Sequence, residues 1–332
     1  MKVTINDVAR EAGVAKSTVS RVLSNNERIS EETKRKVNEV IERLGYKPNI
    51  MARNLAKNQT KTIGVILPID VEASFGNPIF IQIMLGISVY AQERKYFLMY
   101  AFGKDEEEER NIQEFSTNGA VDGIIILKSE ENDRTIKKLR EAKFPFVVIG
   151  RPGRETSALW VDNDNFGATY EIVEELIRKG HEKIAFISAK KKWTVSKDRL
   201  EGYKRALEMH GIEFDEKLTY HGDDFTEKIG YEAMKEMLLS ELPTAIIATD
   251  DLLAIGVNKY LEEKNIKGKA IIGFNNTALA EYQKPSLSSV EIYGNKLGYA
   301  AAKLLVEYLE SDKKQHEHAI IETKLVRRQS FK

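Results

Sequence analysis

Apolar residues are distributed in two different ways along this chain. From Thr62 onward they gather into short unbroken runs: TIGVIL (62–67), YFLMYAF (96–102), DGIIIL (122–127), PFVVIG (145–150), KIAFIS (183–188), TAIIAT (244–249) and KAIIGF (269–274). Runs of this length, rich in Val, Ile and Phe and ending near Gly, Pro or Asp, suit strands buried on both faces. Between them lie amphipathic stretches with helical spacing, including residues 80–94, 105–117, 164–179 and 198–209. Strand alternating with helix predicts parallel sheets covered by helices. More than six such strands over about 270 residues exceed one sheet of average size, so two lobes are expected. A cleft between them, outside the carboxyl ends of the strands, is where a small ligand would sit.

Residues 1–45 contain no such run. Thr4-Ile-Asn-Asp7 has the spacing of a capping box, and Val8, Ala9 and Ala12 follow as one apolar face. Gly13 tolerates the positive φ that a tight helix end requires. A second helix from about Lys16 to Leu23 turns Val19, Val22 and Leu23 inward and Lys16, Ser17, Thr18, Ser20 and Arg21 outward. A third, residues 31–44, has Ser30 as its N-cap and buries Val37, Val40, Ile41 and Leu44. Two short helices joined by a glycine turn make a helix-turn-helix unit, whose second helix fits the major groove of DNA. Arg21 has the donors to bind a guanine edge in bidentate fashion. Lys16 and Ser17 stand at the leading end, and Thr18, Ser20 and Asn25 suit phosphates. The same spacing would also serve any small three-helix unit with a polar face.

The expected organisation is therefore a small all-α helix-turn-helix head (1–46), a polar hinge containing Pro48 (47–61) and a two-lobed α/β core (62–332). Charge supports the division. Net charge is zero over 332 residues, yet residues 1–60 hold 12 Lys plus Arg against 7 Asp plus Glu, a net of +5. A basic head on an acidic body points to a polyanionic partner for the head. The absence of cysteine excludes disulfides and thiolate metal sites. The first ten residues lack the apolar segment of a signal peptide, and no run has the ~18 apolar residues of a membrane span. A cytoplasmic protein without membrane partner, cofactor or metal is expected.

Enzyme chemistry has little support. No phosphate-binding G-x-x-x-x-G-K-[ST] loop or G-x-S-x-G elbow occurs. His316 and His318 are close-spaced but fall in a charged segment read as a loop. The acidic run at 105–110, DEEEER, reads as the exposed first turn of a helix, where acids complement the dipole.

The run from Ile5 to Asn25, with Leu44-Gly-Tyr-Lys-Pro-Asn49 and Ala52-Arg-Asn-Leu55, resembles the head of the lactose/galactose repressor family. Core motifs continue the resemblance in order: Thr62-Ile-Gly-Val-Ile, Val121-Asp-Gly-Ile-Ile, Val161-Asp-Asn, Gly180-His, Arg199-x-x-Gly202-Tyr and Thr249-Asp-Asp-x-x-Ala254-x-Gly256. The resemblance implies a DNA-binding repressor with a core like the periplasmic sugar-binding proteins. It makes Lys16, Ser17 and Arg21 base readers, with Thr4, Tyr46, Asn49, Ala52 and Arg53 as further DNA contacts. It also implies a hinge helix over 49–57 from which Leu55 wedges into the minor groove, an apolar insertion that kinks the duplex. Ala15 stands where the family often has a serine cap.

For the effector, the resemblance points to Arg199, to Phe225 as a stacking aromatic, and to Asn275 where many members carry Asp. Asn77, Phe80, Arg151, Trp193 and Asp251 are further candidates. The alternatives are an ion pair of Arg199 with Asp198 or Glu201, and core positions for Phe80 and Phe225. Gly76-Asn-Pro-Ile-Phe80 and Gly273-Phe-Asn-Asn-Thr resemble the maltose-operon branch. The expected partners are palindromic operator DNA, a small sugar (maltose or a related glucoside) and a second copy in a homodimer. A family relative that senses a phosphorylated carrier protein, or a sugar phosphate, provides the alternative signal, with Arg327 and Arg328 as its candidate contacts.

Overall fold

The computed structural model describes residues 3–46, 59–67, 71–104, 106–153, 158–238, 242–312 and 317–331. The chain divides into two compact units, Met1–Thr60 and Lys61–Lys332.

In the first unit, helices α1 (Ile5–Ala12), α2 (Lys16–Leu23) and α3 (Glu31–Leu44) close around Val8, Ala9, Ala12, Val19, Val22, Val37 and Val40. The boundaries follow from local chemistry. Thr4 accepts from the Asp7 amide, and the Asp7 carboxylate accepts from the Thr4 amide at 3.0 Å, completing the capping box. Gly13 and Gly45 end their helices in the left-handed region at φ 65° and 62°. Ala15 supplies no side-chain cap to α2, as its methyl group must. Ser30 accepts from the Thr33 amide and starts α3.

The second unit holds two six-stranded sheets. The first lobe contains β1 (Thr62–Leu67), β2 (Phe97–Phe102), β3 (Gly123–Ile126), β4 (Phe146–Ile149), β5 (Leu159–Asn163) and β11 (His318–Ile321), ordered β11-β5-β4-β3-β1-β2 and parallel throughout. The second contains β6 (Ile184–Ser188), β7 (Thr219–His221), β8 (Ala245–Ala248), β9 (Ala270–Phe274), β10 (Ser288–Glu291) and β12 (Lys324–Val326), ordered β12-β10-β9-β8-β6-β7, with only β12 antiparallel. β1, β3, β4, β6, β8 and β9 are buried along their whole length, which is why they show as unbroken apolar runs.

Short helices α4 (Val71–Gly76) and α12 (Ala278–Glu281) accompany the longer ones. The first-lobe sheet is flanked by α5 (Pro78–Glu93) and α13 (Gly294–Glu310) and by α6 (Glu106–Thr117) and α7 (Arg134–Glu141). The second is flanked by α8 (Asn165–Arg178) and α9 (Thr194–Met209) and by α10 (Glu227–Met237) and α11 (Asp251–Glu263). α8 leaves a first-lobe strand to pack in the second lobe, and α13 does the reverse.

The chain therefore passes between lobes three times, after β5, β10 and β11. One side chain ties the three passages together. The Asn163 amide, 3 % exposed at the end of β5, donates to the Ile292 carbonyl at 3.1 Å and the Ile321 carbonyl at 3.0 Å. Ile292 is followed by Tyr293 in the left-handed region at φ 53°.

Several elements differ from the sequence expectation. α5 starts at Pro78 rather than Phe80, and α9 at Thr194 rather than Asp198. His318 opens strand β11 and stacks on Trp160 at 4.5 Å, so the segment read as a loop ends in a sheet. Glu108 is not an exposed first-turn acid. It is 4 % exposed and bonded to Lys128 at 2.7 Å. Burial pushes its carboxyl pKa up, against the pull of Lys128.

Candidate functional site

In the head, α2 has two dissimilar sides. Val19 and Val22 are buried, whereas Lys16, Ser17, Ser20 and Arg21 are exposed and Thr18 is half-buried. Among the described residues neither Lys16 nor Arg21 has an ion-pair partner; the head's ion pairs, Arg10–Asp7, Lys34–Glu31, Arg35–Glu39 and Arg43–Glu11, lie on α1 and α3. The donors of α2 thus remain available for an external ligand. Asn25 is exposed just past the helix at φ 52°, a conformation asparagine tolerates better than most residues. Thr4 sits at the α1 N-terminus with its hydroxyl in the capping box, and Tyr46 is half-buried against the three-helix core. Asn49, Ala52, Arg53 and Leu55 lie outside the described residues.

In the core, two adjoining cavities open where the strands of both lobes end. An inner one of about 90 Å³ is lined by Phe80, Lys128, Ser129, Trp193, Thr194 and Phe225, among others. An outer one of about 630 Å³ is lined by Asn77, Phe80, Asp224, Phe225, Tyr231 and Leu252, among others. Phe80 and Phe225 border both, and the Trp193 and Phe225 rings pack at 5.4 Å. Aromatic faces beside planar polar groups are what a sugar requires, since its rings have apolar faces and hydroxyl-bearing edges.

A buried polar knot stands beside these cavities. Asp250 caps α11, accepting from the Leu252 amide at 2.7 Å. Its other oxygen accepts from the Asn77 side chain of the first lobe at 2.9 Å and from Asn275 at 2.7 Å. Burial pushes its pKa up to about 7 despite these donors. Arg199, 3 % exposed, donates to Asn165 Oδ1 at 2.9 Å and to the Thr249 carbonyl at 2.6 Å, with its guanidinium 4.0 Å from the Phe274 ring centre. Neither Asp198 nor Glu201 is its hydrogen-bond partner; Asn165 in turn donates to Asp162 at 2.9 Å. Burial draws the Arg199 pKa down to about 10, opposed by the field of Asp162, Asp250, Asp198 and Asp251.

Of the sequence candidates, Asn77, Phe80, Trp193, Arg199, Phe225 and Asn275 thus come together at or beside the cavities. Two do not. Asp251 lies behind the wall, taking bonds from Ser289 Oγ at 2.6 Å and from the Thr277 amide and hydroxyl at 2.7 and 2.9 Å. The carboxylate that reaches across the lobes is its neighbour Asp250. Arg151 is exposed, with its guanidinium 5.4 Å from the Trp160 ring centre. Sequence reasoning missed Asp250, Asp162, Asn165 and the residues 128–130. Cap preference could have separated Asp250 from Asp251, because the first of two acids at a helix start is the one whose side chain folds back on the helix. Arg327 is held bidentately by Glu175, at 3.0 and 2.6 Å, and Arg328 donates to the Leu287 carbonyl, so both are engaged within the fold. No helix among the described residues is long and apolar enough to cross a membrane, and none of their acidic or histidine side chains cluster as a metal site.

A helix-turn-helix unit followed by a two-lobed α/β core with a cleft defines a ligand-responsive DNA-binding regulator. Residues 4–49 match "Bacterial regulatory proteins, lacI family", and residues 173–331 match "Periplasmic binding protein-like domain". The chain is 37 % identical over 319 residues to the HTH-type transcriptional regulator MalR of Streptococcus pneumoniae, covering 94 % of each chain. It is 34 % identical to Catabolite control protein A of Staphylococcus epidermidis, covering 97 % of each. Among solved structures, a CelR–cellobiose complex matches with a TM-score of 0.77 at 30 % identity, covering 99 % of this chain and 100 % of that one. The lac repressor dimer bound to operator matches in fold, with a TM-score of 0.84 at 22 % identity and 99 % coverage of both chains. The protein belongs to the lacI family of bacterial transcription regulators. It is a DNA-binding transcription regulator whose core carries a periplasmic-binding-protein-like domain.

Proposed function

We propose that this regulator is a homodimeric repressor that reads a palindromic operator through α2 and releases it in response to maltose or a related glucoside. The observation that carries the DNA half is the exposed polar face of α2, set opposite buried Val19 and Val22. Lys16, Ser17 and Arg21 read base edges, while Thr4, Thr18, Ser20, Asn25 and Tyr46 fix the head on the backbone. Residues 47–61 serve as the hinge, with Asn49, Ala52 and Arg53 as further DNA contacts and Leu55 as the wedge in the minor groove.

The sugar reading rests on the aromatic and amide-rich walls of the two cavities, on 37 % identity to MalR, and on likeness to a probable maltose operon transcriptional repressor from Staphylococcus, 26 % identical with a TM-score of 0.74. Phe80, Trp193 and Phe225 supply ring faces, while Asn77, Arg199, Asp250 and Asn275 shape the polar side. Two copies would meet along an apolar face of the first lobe: Ile81, Leu85 and Val89 recur every four residues on α5 and are exposed, beside exposed Phe97 and Met99 of edge strand β2.

Sugar would shift the population between two arrangements of the lobes, with a coupling of roughly 1–3 kcal/mol. Titrating the operator complex with maltose, cellobiose, glucose and their phosphates tests the proposal. Release by maltose at concentrations where glucose is inert is expected. Release by none of them would refute the sugar reading, and release only by phosphorylated compounds would favour the alternative signal.

A further inference from the structure

At the mouth of the cleft, residues 129–131 of the first lobe touch 192–194 of the second along a short antiparallel bridge. The Thr194 amide and hydroxyl both donate to the Ser129 carbonyl, at 3.1 and 3.2 Å, and the Glu131 amide donates to the Lys192 carbonyl at 3.4 Å. Inside this bridge the indole N–H of Trp193 donates to Glu130 Oε1 at 3.1 Å. Glu130 is itself pinned between Lys128, at 3.2 Å, and Lys192, at 3.0 Å. Lys128 is anchored in turn on buried Glu108, and Lys197 pairs with Glu131 alongside. The second lobe thus brings Lys192 and Lys197 to Glu130 and Glu131 of the first, where Lys128 already stands.

We propose that Glu130 is a positioning residue for the effector site: acting from the first lobe, it sets the Trp193 ring of the second. The ring borders the inner cavity and leans on Phe225, which borders both cavities. Among the described residues its N–H is met by one group, Glu130 on the opposite lobe. Opening the lobes would strip the indole N–H of its partner and leave Glu130 and the lysines to water. The wall against which a sugar ring stacks is therefore complete only when the lobes are closed, and ligand binding and closure draw on the same contact. Burial pushes the Glu130 carboxyl up, but Lys192 and Lys128 outweigh it and hold the group below its ordinary range, so it stays ionised at neutral pH. Lys192 is half-exposed, so salt weakens this side of the arrangement.

The inference uses the sugar reading only for its ligand arm, and the test keeps the two apart. The chain has two tryptophans, so Trp160→Phe leaves Trp193 as the sole indole reporter. In that background the full-length protein is compared with its Glu130→Gln and Glu130→Ala variants, by Trp193 emission, acrylamide quenching and maltose titration at low and high sodium chloride. Glu130→Ala should red-shift the emission, raise quenching and weaken maltose binding about tenfold, the usual effect of losing a bond to a charged group. Glu130→Gln retains an oxygen for the indole; it should keep the emission while losing the salt dependence of maltose affinity, which a merely structural side chain would not control. The far-ultraviolet circular dichroism spectrum should match in all three proteins, showing that the fold is intact. Unchanged Trp193 emission in Glu130→Ala, or shifted emission with unchanged maltose affinity, would overturn the proposal. If no sugar binds the parent protein, the sugar reading fails, and the emission comparison alone decides whether Glu130 holds the ring.

Discussion

Asp250 is an acid in a place that disfavours its charge. It is 2 % exposed, caps one helix and takes amide donors from both lobes, yet burial still lifts its pKa to about 7. The ordinary aspartate value is 3.8, so between that value and about 7 the folded chain holds a proton that the unfolded chain has released. Stability must therefore fall as pH rises through this window and stay low above it. Asp162 and Asp251, each lifted to about 6 by burial, act in the same direction. Asp250→Asn should flatten the slope, removing about one proton from the uptake on folding, as read by urea unfolding at a series of pH values. An unchanged slope would mean that water reaches the carboxylate. Arg21 presents the opposite case, an exposed group whose proposed partner is DNA. Arg21→Ala should cost about 1–3 kcal/mol at the preferred base pair and relax specificity there, without lowering the melting temperature of the core. Operator competition against single-base variants measures this; retained discrimination at every position would remove Arg21 as a base reader.

Among the elements, α5 and α13 cross at mutually placed glycines. A Cβ on Gly86 would overlap the Asn295 carbonyl and the Tyr299 amide, and one on Gly298 would overlap the Ile83 carbonyl. Backbone cannot yield as a side-chain end does, so Gly298→Ala should destabilise the core by about 1–3 kcal/mol, the usual range for overpacking, although alanine favours helix. A urea midpoint at or above that of the parent would show that the helices can separate without loss. Such crossings are invisible in a sequence, because a helical glycine gives no sign of what lies opposite. What is legible is whatever burial makes uniform. TIGVIL and AIIGF (270–274) read as strands because every residue in them is buried. By contrast, β10 is Ser288-Ser-Val-Glu, yet both serines are fully buried: Ser289 donates to Asp251, and Ser288 accepts from the Arg328 amide. Its polarity is paid for in partners that lie far along the chain, and local pattern cannot report them. β5 is hidden similarly by Asp162 and Asn163, whose bonds build the passage between lobes. The head was almost fully legible, since its caps, turns and apolar face all operate within a few residues. At the cleft, residue types pointed to the right segments and cap preference separates Asp250 from Asp251, but only the fold could bring Glu130 to Trp193.

For the whole molecule, the proposed repressor has to bring two heads to one operator. One α2 helix covers one half-site, and affinity for a palindrome depends on joining two of them. The core offers a surface suited to that task. Leu85 is 58 % exposed at the middle of the α5 stripe, and Phe97 is 57 % exposed on the neighbouring edge strand. Contiguous apolar patches on a regulator mark a protein contact more often than an accident of folding. Leu85→Glu places a charge at the centre of this stripe while its side chain points away from the core of its own lobe, so folding should be spared and self-association lost. Sedimentation velocity should show the parent as a dimer and the variant as a monomer. Affinity for a palindromic operator should then fall by about 10²–10⁴-fold, the advantage of tethering two modules, while affinity for an isolated half-site should change little. A variant that remains dimeric and binds the palindrome as tightly as the parent would place the interface elsewhere. A monomeric variant that still binds the palindrome tightly would mean that the heads do not depend on the core for their pairing.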